Sequence, residues 1–385
     1  MSRKSNTPEE QRIRTLLVAY LAGCAVREEV PDPASLEGAN LDALLDLAAK
    51  HMLTAVVATA LESAGLGNDR TREGIARAAW RAAQFEAEWE PVRAEFEAAG
   101  IWYCPLKGMV IKDLYPTYGM REMGDYDILF DPERGDDVRE IMERRGFSVA
   151  HFGTGYHDAY HKRPICNFEM HRTLISTKLD SRMVGYFVEI KDKLIKDSEF
   201  GFRMGPSDCY LYLITHEFNH YILGGTGLRS LLDAYVYLRE YGSILEWDGI
   251  TADAHTMGIS EFELRNRKLV RHMFETSCIS LTEDEWRMLD YVSKSGTYGT
   301  MKQKIENSVT MRGGGTRGKL RYLQSRIFPP VAVLESYYPD FMHNRVLLPV
   351  LLVYRLGRAV IVHRKSVLTE LNILRNTGRH QGNSD

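Results

Sequence analysis

Apolar residues in the first hundred positions recur three and four apart. Leu44, Leu47, Ala48, His51, Met52 and Ala55 share such a stripe, and Val56, Ala60 and Leu61 continue it, so helices are predicted over about residues 8–99. From Thr71 to Ala99 the chain is rich in Ala, Glu and Arg, with no proline until Pro91, and Gly100 is placed to cap that helix. At Ile101 the pattern shortens. IWYCPL (101–106) predicts a strand, KGMVIKDLYP (107–116) a helical turn or two, and YDILF (126–130) a second strand. A charged helix over about 132–145 ends at Gly146, and FSVA (147–150) resumes as a strand. A polar, aromatic loop carrying His151, His157 and His161 follows, then a further strand over ICNFEMHRTL (165–174). From Ser207 onward helical spacing returns, in 207–223 and again in 227–241. The basic, glycine-bearing stretch 302–326 is expected to be a linker or mobile loop. The expected architecture is α+β: a small mixed-sheet core at 100–205, an N-terminal helical region at 1–99 and a C-terminal helical region at 206–385.

A chain of 385 residues exceeds the usual single core, so two or three packing units are expected. With 44% hydrophobic and 26% charged residues it has the balance of a soluble globular protein. A net charge of -3 provides no global basic field, and nucleic acid is not an expected partner. The five cysteines are dispersed and form no CxxC pair, which argues against a disulfide framework or a cysteine-rich zinc module and for a reducing, cytoplasmic setting. The N-terminal MSRKSNTPEEQR lacks the apolar core of a signal peptide. The most apolar run, Val346 to Tyr354, contains Pro349 and is followed by Arg355 and Arg358. It is too short to span a bilayer, so no membrane partner is expected; a core helix fits it best, an amphipathic surface helix second.

Candidate chemistry begins with GDYDILF. Asp125 and Asp127 are one residue apart on a predicted strand, so both side chains point to one face a few ångströms apart. Carboxylates held that close repel unless a cation sits between them, and magnesium is the cation that prefers oxygen ligands while leaving positions for water and phosphate. Glu169, on the later strand between Phe168 and Met170, is costly to bury without a partner, and a metal shared with the aspartates would explain it. His171 should share the face of Glu169, to hydrogen-bond the acid or a nucleotide or to serve as a structural partner.

In order along the chain, LKGMVIKDLYP, MREMGDYDILF, FEMH and HEFNHYILGGTGLRSLLD resemble the bacterial family of uncharacterised nucleotidyltransferases within the polymerase-β-like superfamily, over roughly residues 35–375. The resemblance implies a two-metal mechanism in which Asp125 and Asp127, with Glu169, bind two magnesium ions, or manganese in their place, together with a nucleoside triphosphate such as ATP. Glu169 would help activate an acceptor hydroxyl on a small molecule or a protein. Gly108 would form the turn beneath the phosphates, although Met109 follows it where the superfamily has Gly or Ser. Lys107 and Arg121 would then supply phosphate charge, lysine as a point charge and arginine as a two-pronged grip. His216 or His220, with Arg229 and Asp233 on the next helix, would contact nucleotide or acceptor. An Arg229–Asp233 pair four residues apart, with the histidines packing between helices, is the structural alternative.

Two rival motifs remain. His216-Glu217-Phe218-Asn219-His220 matches HExxH, a zinc metallopeptidase signature, with Glu240 downstream as a possible third ligand. GGGTRGK (313–319) imitates a phosphate-binding loop, but Leu320 stands where a metal-binding Ser or Thr is needed. A catalytically silent nucleotide-binding module is the third alternative.

Overall fold

The fold was analysed from a computed structural model. It describes residues 7–176, 180–276, 279–297, 299–329 and 348–377, with isolated positions between 331 and 346. Four helices open the chain: α1 (Pro8–Arg27), α2 (Leu41–Lys50), α3 (Thr54–Ser63) and α4 (Asp69–Ala99). Thr7 and Asn68 cap α1 and α4 with reciprocal side-chain bonds, and Gly100 closes α4 in the left-handed conformation at φ 67°. The middle of the chain carries β1 (Tyr103–Pro105), α5 (Gly108–Ile111), β2 (Tyr126–Phe130), α6 (Gly135–Arg144), β3 (Ser148–His151), β4 (His157–Lys162) and β5 (Cys166–His171). After α7 (Ser181–Phe187), α8 (Ile190–Lys193) and a small hairpin of β6 (Ile195–Lys196) and β7 (Phe202–Arg203), the rest is helical. Those helices are α9 (Pro206–Leu223), α10 (Leu228–Tyr241), α11 (Trp247–Met257), α12 (Ser260–Phe274), α13 (Glu283–Ser295), α14 (Met301–Met311), α15 (Gly315–Ile327), α16 (Leu348–Val362) and α17 (Arg364–Asn376). The fold is α+β, a mixed sheet with helical flanks, as the pattern predicts.

The five strands run in the order β1-β2-β5-β4-β3; β2 and β5 are parallel and the other neighbours antiparallel. One face of the sheet is apolar. Tyr126, Ile128, Phe130, Phe168, Met170 and Tyr160 pack against Phe85, Trp89, Val92 and Phe96 of α4 and Val138, Ile141 and Met142 of α6. The α4 residues are spaced four, three and four apart, so a single stripe of that helix covers the sheet. The rings of Phe85, Tyr126 and Phe168 stack with centroids 4.8 and 5.5 Å apart along the pile. Full burial of side chains this large stabilises the sheet by about 1.5–3 kcal/mol apiece. The opposite face mixes polar residues with Leu129 and Ala159.

The chain forms two compact units, Met1–Phe218 with Gly227–Thr297, and Asn219–Thr226 with Tyr298–Asp385. In the first, α1 packs against α2, α3, α10 and α12. In the second, Ile305, Val309, Tyr322 and Leu374 form a small core.

Three expectations change. Residues 157–162, expected to be loop, form β4: its polar sequence HDAYHK carries little strand signal, and backbone pairing with β5 makes it a strand. The expected basic loop 302–326 is instead α14 and α15, joined by a turn in which Gly313, Gly314 and Gly315 have φ of 101°, 65° and 51°. The apolar run near 346–354 enters α16, but as a surface helix. Leu351 is buried, while Val350, Val353 and Tyr354 are 57%, 71% and 49% exposed, so the segment lies at the surface rather than in a core.

Candidate functional site

Pairing between β2 and β5 sets Asp127 directly opposite Glu169 and Leu129 opposite His171. Pairing between β4 and β5 then sets His157 opposite His171 and Ala159 opposite Glu169. Because alternate residues share a face, Asp125, Asp127, Glu169, His171 and His157 all lie on the polar side of the sheet. The strand entry is held by the helical flank. Arg81 of α4 donates to the carbonyls of Met123 and Gly124, Ala55 of α3 donates its N–H to Glu122 Oε1 at 3.0 Å, and Arg229 of α10 donates to the Glu122 carbonyl at 3.0 Å. Three helices, two before the sheet in sequence and one after it, thus fix where Asp125 emerges.

Asp127 is the hub. It is 4% exposed, and its Oδ1 accepts from Lys107 Nζ at 2.6 Å and contacts His171 Nε2 at 2.8 Å. Burial opposes ionisation of this carboxyl, but the charge and hydrogen bonds of Lys107 and His171 outweigh it and hold Asp127 well below the usual carboxylate range. Burial likewise opposes charge on Lys107, and Asp127 overrides it, keeping the ammonium charged. The backbone bends to make this contact. Lys107 has φ 45° and ψ -116°, a conformation suited to glycine, at a cost of about 1–3 kcal/mol for a side-chain-bearing residue. The left-handed residue of the turn is therefore Lys107 rather than Gly108. What Gly108 provides is clearance: a Cβ there would come within 2.5 Å of Arg121 Nη1 and 3.0 Å of Met123 Cε.

The other two carboxyls are less satisfied. Asp125 makes no hydrogen bond among the described residues, and burial followed by the neighbouring Asp127 charge raises its pKa. Glu169 is pushed up to about 7 by burial and then by the charges of Asp127 and Asp125. Two half-buried oxygen donors that resist ionisation beside a third, ionised one form a site whose charges a cation would satisfy. The residues therefore fit the magnesium that the family resemblance implies. His171 is fully buried, and burial and then Lys107 lower its pKa. His157, lowered to about 4 by burial and then by His171 and His151, has Nε2 3.7 Å from Glu169 Oε2. Sequence reasoning passed over His157 because it assigned 157–162 to loop; recognising β4 would have placed it two residues before Ala159 and hence on the site's face.

The remaining expected residues are engaged with other partners. Arg121 is buried and grips Asp233 with two hydrogen bonds, Nε to Oδ1 at 2.9 Å and Nη2 to Oδ2 at 2.8 Å, and the Tyr115 hydroxyl donates to Oδ1 at 2.8 Å. Asp233 thus pairs with an arginine 112 positions away rather than with Arg229 on its own helix. Arg229 spends its guanidinium on the Glu122 carbonyl and Met52. Of the HExxH residues on α9, His216 is half-buried, His220 exposed and Glu217 buried. No group of three metal-ligating side chains among the described residues includes His216 or His220. GGGTRGK is the α14–α15 turn and the first turn of α15.

Glu217 carries a prediction of its own. It is 5% exposed, its Oε1 has no hydrogen-bond partner among the described residues, and burial pushes its pKa up to about 8. Between about 4.5 and 8 the unfolded chain releases this proton while the folded one keeps it, so the wild type loses stability as pH rises through that window. Glu217→Gln is expected to remove the loss, stabilising the protein by up to about 3 kcal/mol at pH 7 and by little at pH 4. Urea melts at the two pH values check this, and an equal effect at both would refute it. Transfer activity should change little, whereas a zinc peptidase would lose its general base.

No curated protein and no solved structure matches the chain. A sequence profile of uncharacterised nucleotidyltransferases does match, over residues 37–275. That range takes in the helices that hold the strand entry, all five strands of the sheet and the Arg121–Asp233 pair, and on this match the chain belongs to the uncharacterised nucleotidyltransferase family.

Proposed function

We propose that the chain moves a nucleoside monophosphate from a nucleoside triphosphate to a hydroxyl of a small molecule or a protein, using magnesium held by Asp125, Asp127 and Glu169. The observation that carries this reading is the direct pairing of Asp127 with Glu169 across parallel strands, with Asp125 two residues earlier on the same face. Magnesium, when bound, supplies the positive charge that offsets the triphosphate and the attacking and leaving oxygens. The chain's own residues do the rest. Asp125 and Asp127 provide carboxylate oxygens to orient the triphosphate complex. Lys107, locked on Asp127, presents a fixed positive charge beside it. Glu169, directly opposite Asp127 across the strands, is placed to take the acceptor hydroxyl proton as that oxygen bonds to the α-phosphorus and the bond to pyrophosphate breaks.

Incubating the protein and magnesium with each α-labelled triphosphate, with lysate proteins and small-molecule fractions as acceptors, tests the reading. Label transferred by the wild type and lost in Asp125→Asn supports it; no transfer from any triphosphate overturns it. Glu169→Gln should lower turnover by at least ~10²-fold while weakening triphosphate binding far less, because the two aspartates remain. Calorimetry in which triphosphate binding vanishes in Glu169→Gln and persists in the aspartate variants would reverse the roles.

A further inference from the structure

Beside the three carboxylates the sheet presents nitrogen ligands that a magnesium site does not call for. His157, Glu169 and His171 each offer one ligand atom, and the three atoms all lie within 4.8 Å of one another. Glu169 Oε2 stands 3.7 Å from His157 Nε2 and 3.9 Å from His171 Nε2. Donors bound at about 2.1 Å to one tetrahedral or octahedral ion stand roughly 3.0–3.4 Å apart, so each histidine needs to approach Glu169 by under an ångström, with the two rings drawn together as the ion binds. The backbone already holds it together, since β4–β5 pairing puts His157 opposite His171 and leaves Glu169 two residues before His171 on the same face.

We infer that His157, Glu169 and His171 form a further cation site, one that prefers a first-row transition dication over magnesium and shares Glu169 with the magnesium carboxylates, with Mn2+ as its paramagnetic probe. The inference deepens the proposed site and rests on its use of Glu169. Two imidazoles and one carboxylate suit transition dications, whereas magnesium is poorly served by nitrogen and prefers an all-oxygen shell with retained water. To join the ion, His171 turns its Nε2 from Asp127 Oδ1, now 2.8 Å away, and carries its ring proton on Nδ1. That movement removes one of the two bonds that Asp127 Oδ1 makes, leaving Lys107 alone on it. Filling the nitrogen site therefore loosens Asp127 for its role in holding the triphosphate complex.

Manganese titration of the chelator-stripped, full-length protein without nucleotide, read by electron paramagnetic resonance, tests this. The expected result is one bound Mn2+ per chain that a hundredfold excess of Mg2+ fails to displace. Pulsed measurement of that ion should show coupling to ¹⁴N, a readout that needs no variant. His157→Ala should weaken Mn2+ binding at least tenfold with the circular dichroism spectrum unchanged, whereas Asp125→Asn should keep it. Absence of ¹⁴N coupling, equal competition by Mg2+, or undiminished binding in a folded His157→Ala protein overturns the inference. Failure of the transfer reading is distinguishable, because a protein that binds Mn2+ through nitrogen yet moves no label from any triphosphate refutes the transfer reading alone.

Discussion

Asp127→Asn is expected to cost the protein both its transfer activity and a large part of its stability, whereas Asp125→Asn is expected to cost the activity alone. Each change removes a carboxylate from the proposed cation site and should lower nucleotidyl transfer by at least ~10²-fold. Their structural settings differ. Asp127 is the buried counter-ion of Lys107, and the strained turn at Lys107 holds its conformation against that bond. An amide in its place takes from a largely buried ammonium the carboxylate it is hydrogen-bonded to, which costs about 3–5 kcal/mol. Asp125 has no hydrogen bond to lose among the described residues and sits beside a like charge, so neutralising it relieves repulsion and should leave the fold as stable or slightly more so. Denaturant melts and labelled-triphosphate turnover on both variants decide the matter. Equal stability of Asp127→Asn and wild type would mean that the Lys107 contact does not form, and near-normal turnover in both variants would sink the site.

The second large effect is expected at Arg121. The family resemblance gave it a role on phosphate; the structure turns it inward onto Asp233, with both side chains buried and the Tyr115 hydroxyl completing the cluster. Arg121→Met strands the Asp233 carboxylate and should destabilise the protein by about 3–5 kcal/mol. Combining it with Asp233→Leu should recover most of that loss, because buried ion pairs exchange for apolar groups of similar volume at little net cost. The cluster joins the segment before β2 to α10, so turnover in the single variant should fall with the folded fraction. A stable Arg121→Met protein that has lost triphosphate affinity would instead return Arg121 to the phosphates. Urea melts of the two variants, with triphosphate titration of whichever is folded, separate the outcomes.

These expectations divide according to what local patterning can carry. Helical spacing before residue 100 and after 206, the strand at YDILF and the shared face of Asp125 and Asp127 follow from periods of 3.6 and 2, which are properties of neighbouring residues. Glu169 stood out for the same reason, as an acid between two apolar neighbours on a strand. The partners lay beyond that reach. That β5 pairs in parallel with β2, bringing Glu169 level with Asp127, is decided by hydrogen bonds between segments some forty residues apart. β4 exists through its pairing with β5, and so His157 entered the site only with the sheet. The run 302–326 was read as loop from its charge and glycines, yet three positive-φ glycines confine the break to a turn and helices occupy the rest. Arg121 and Asp233 were each singled out, but nothing in their neighbourhoods could indicate that they face each other. Charge and side-chain type are written locally, whereas whether a cation meets a phosphate or a buried carboxylate is settled by which distant segment folding brings against it, and by the desolvation that makes burial without such a partner too costly.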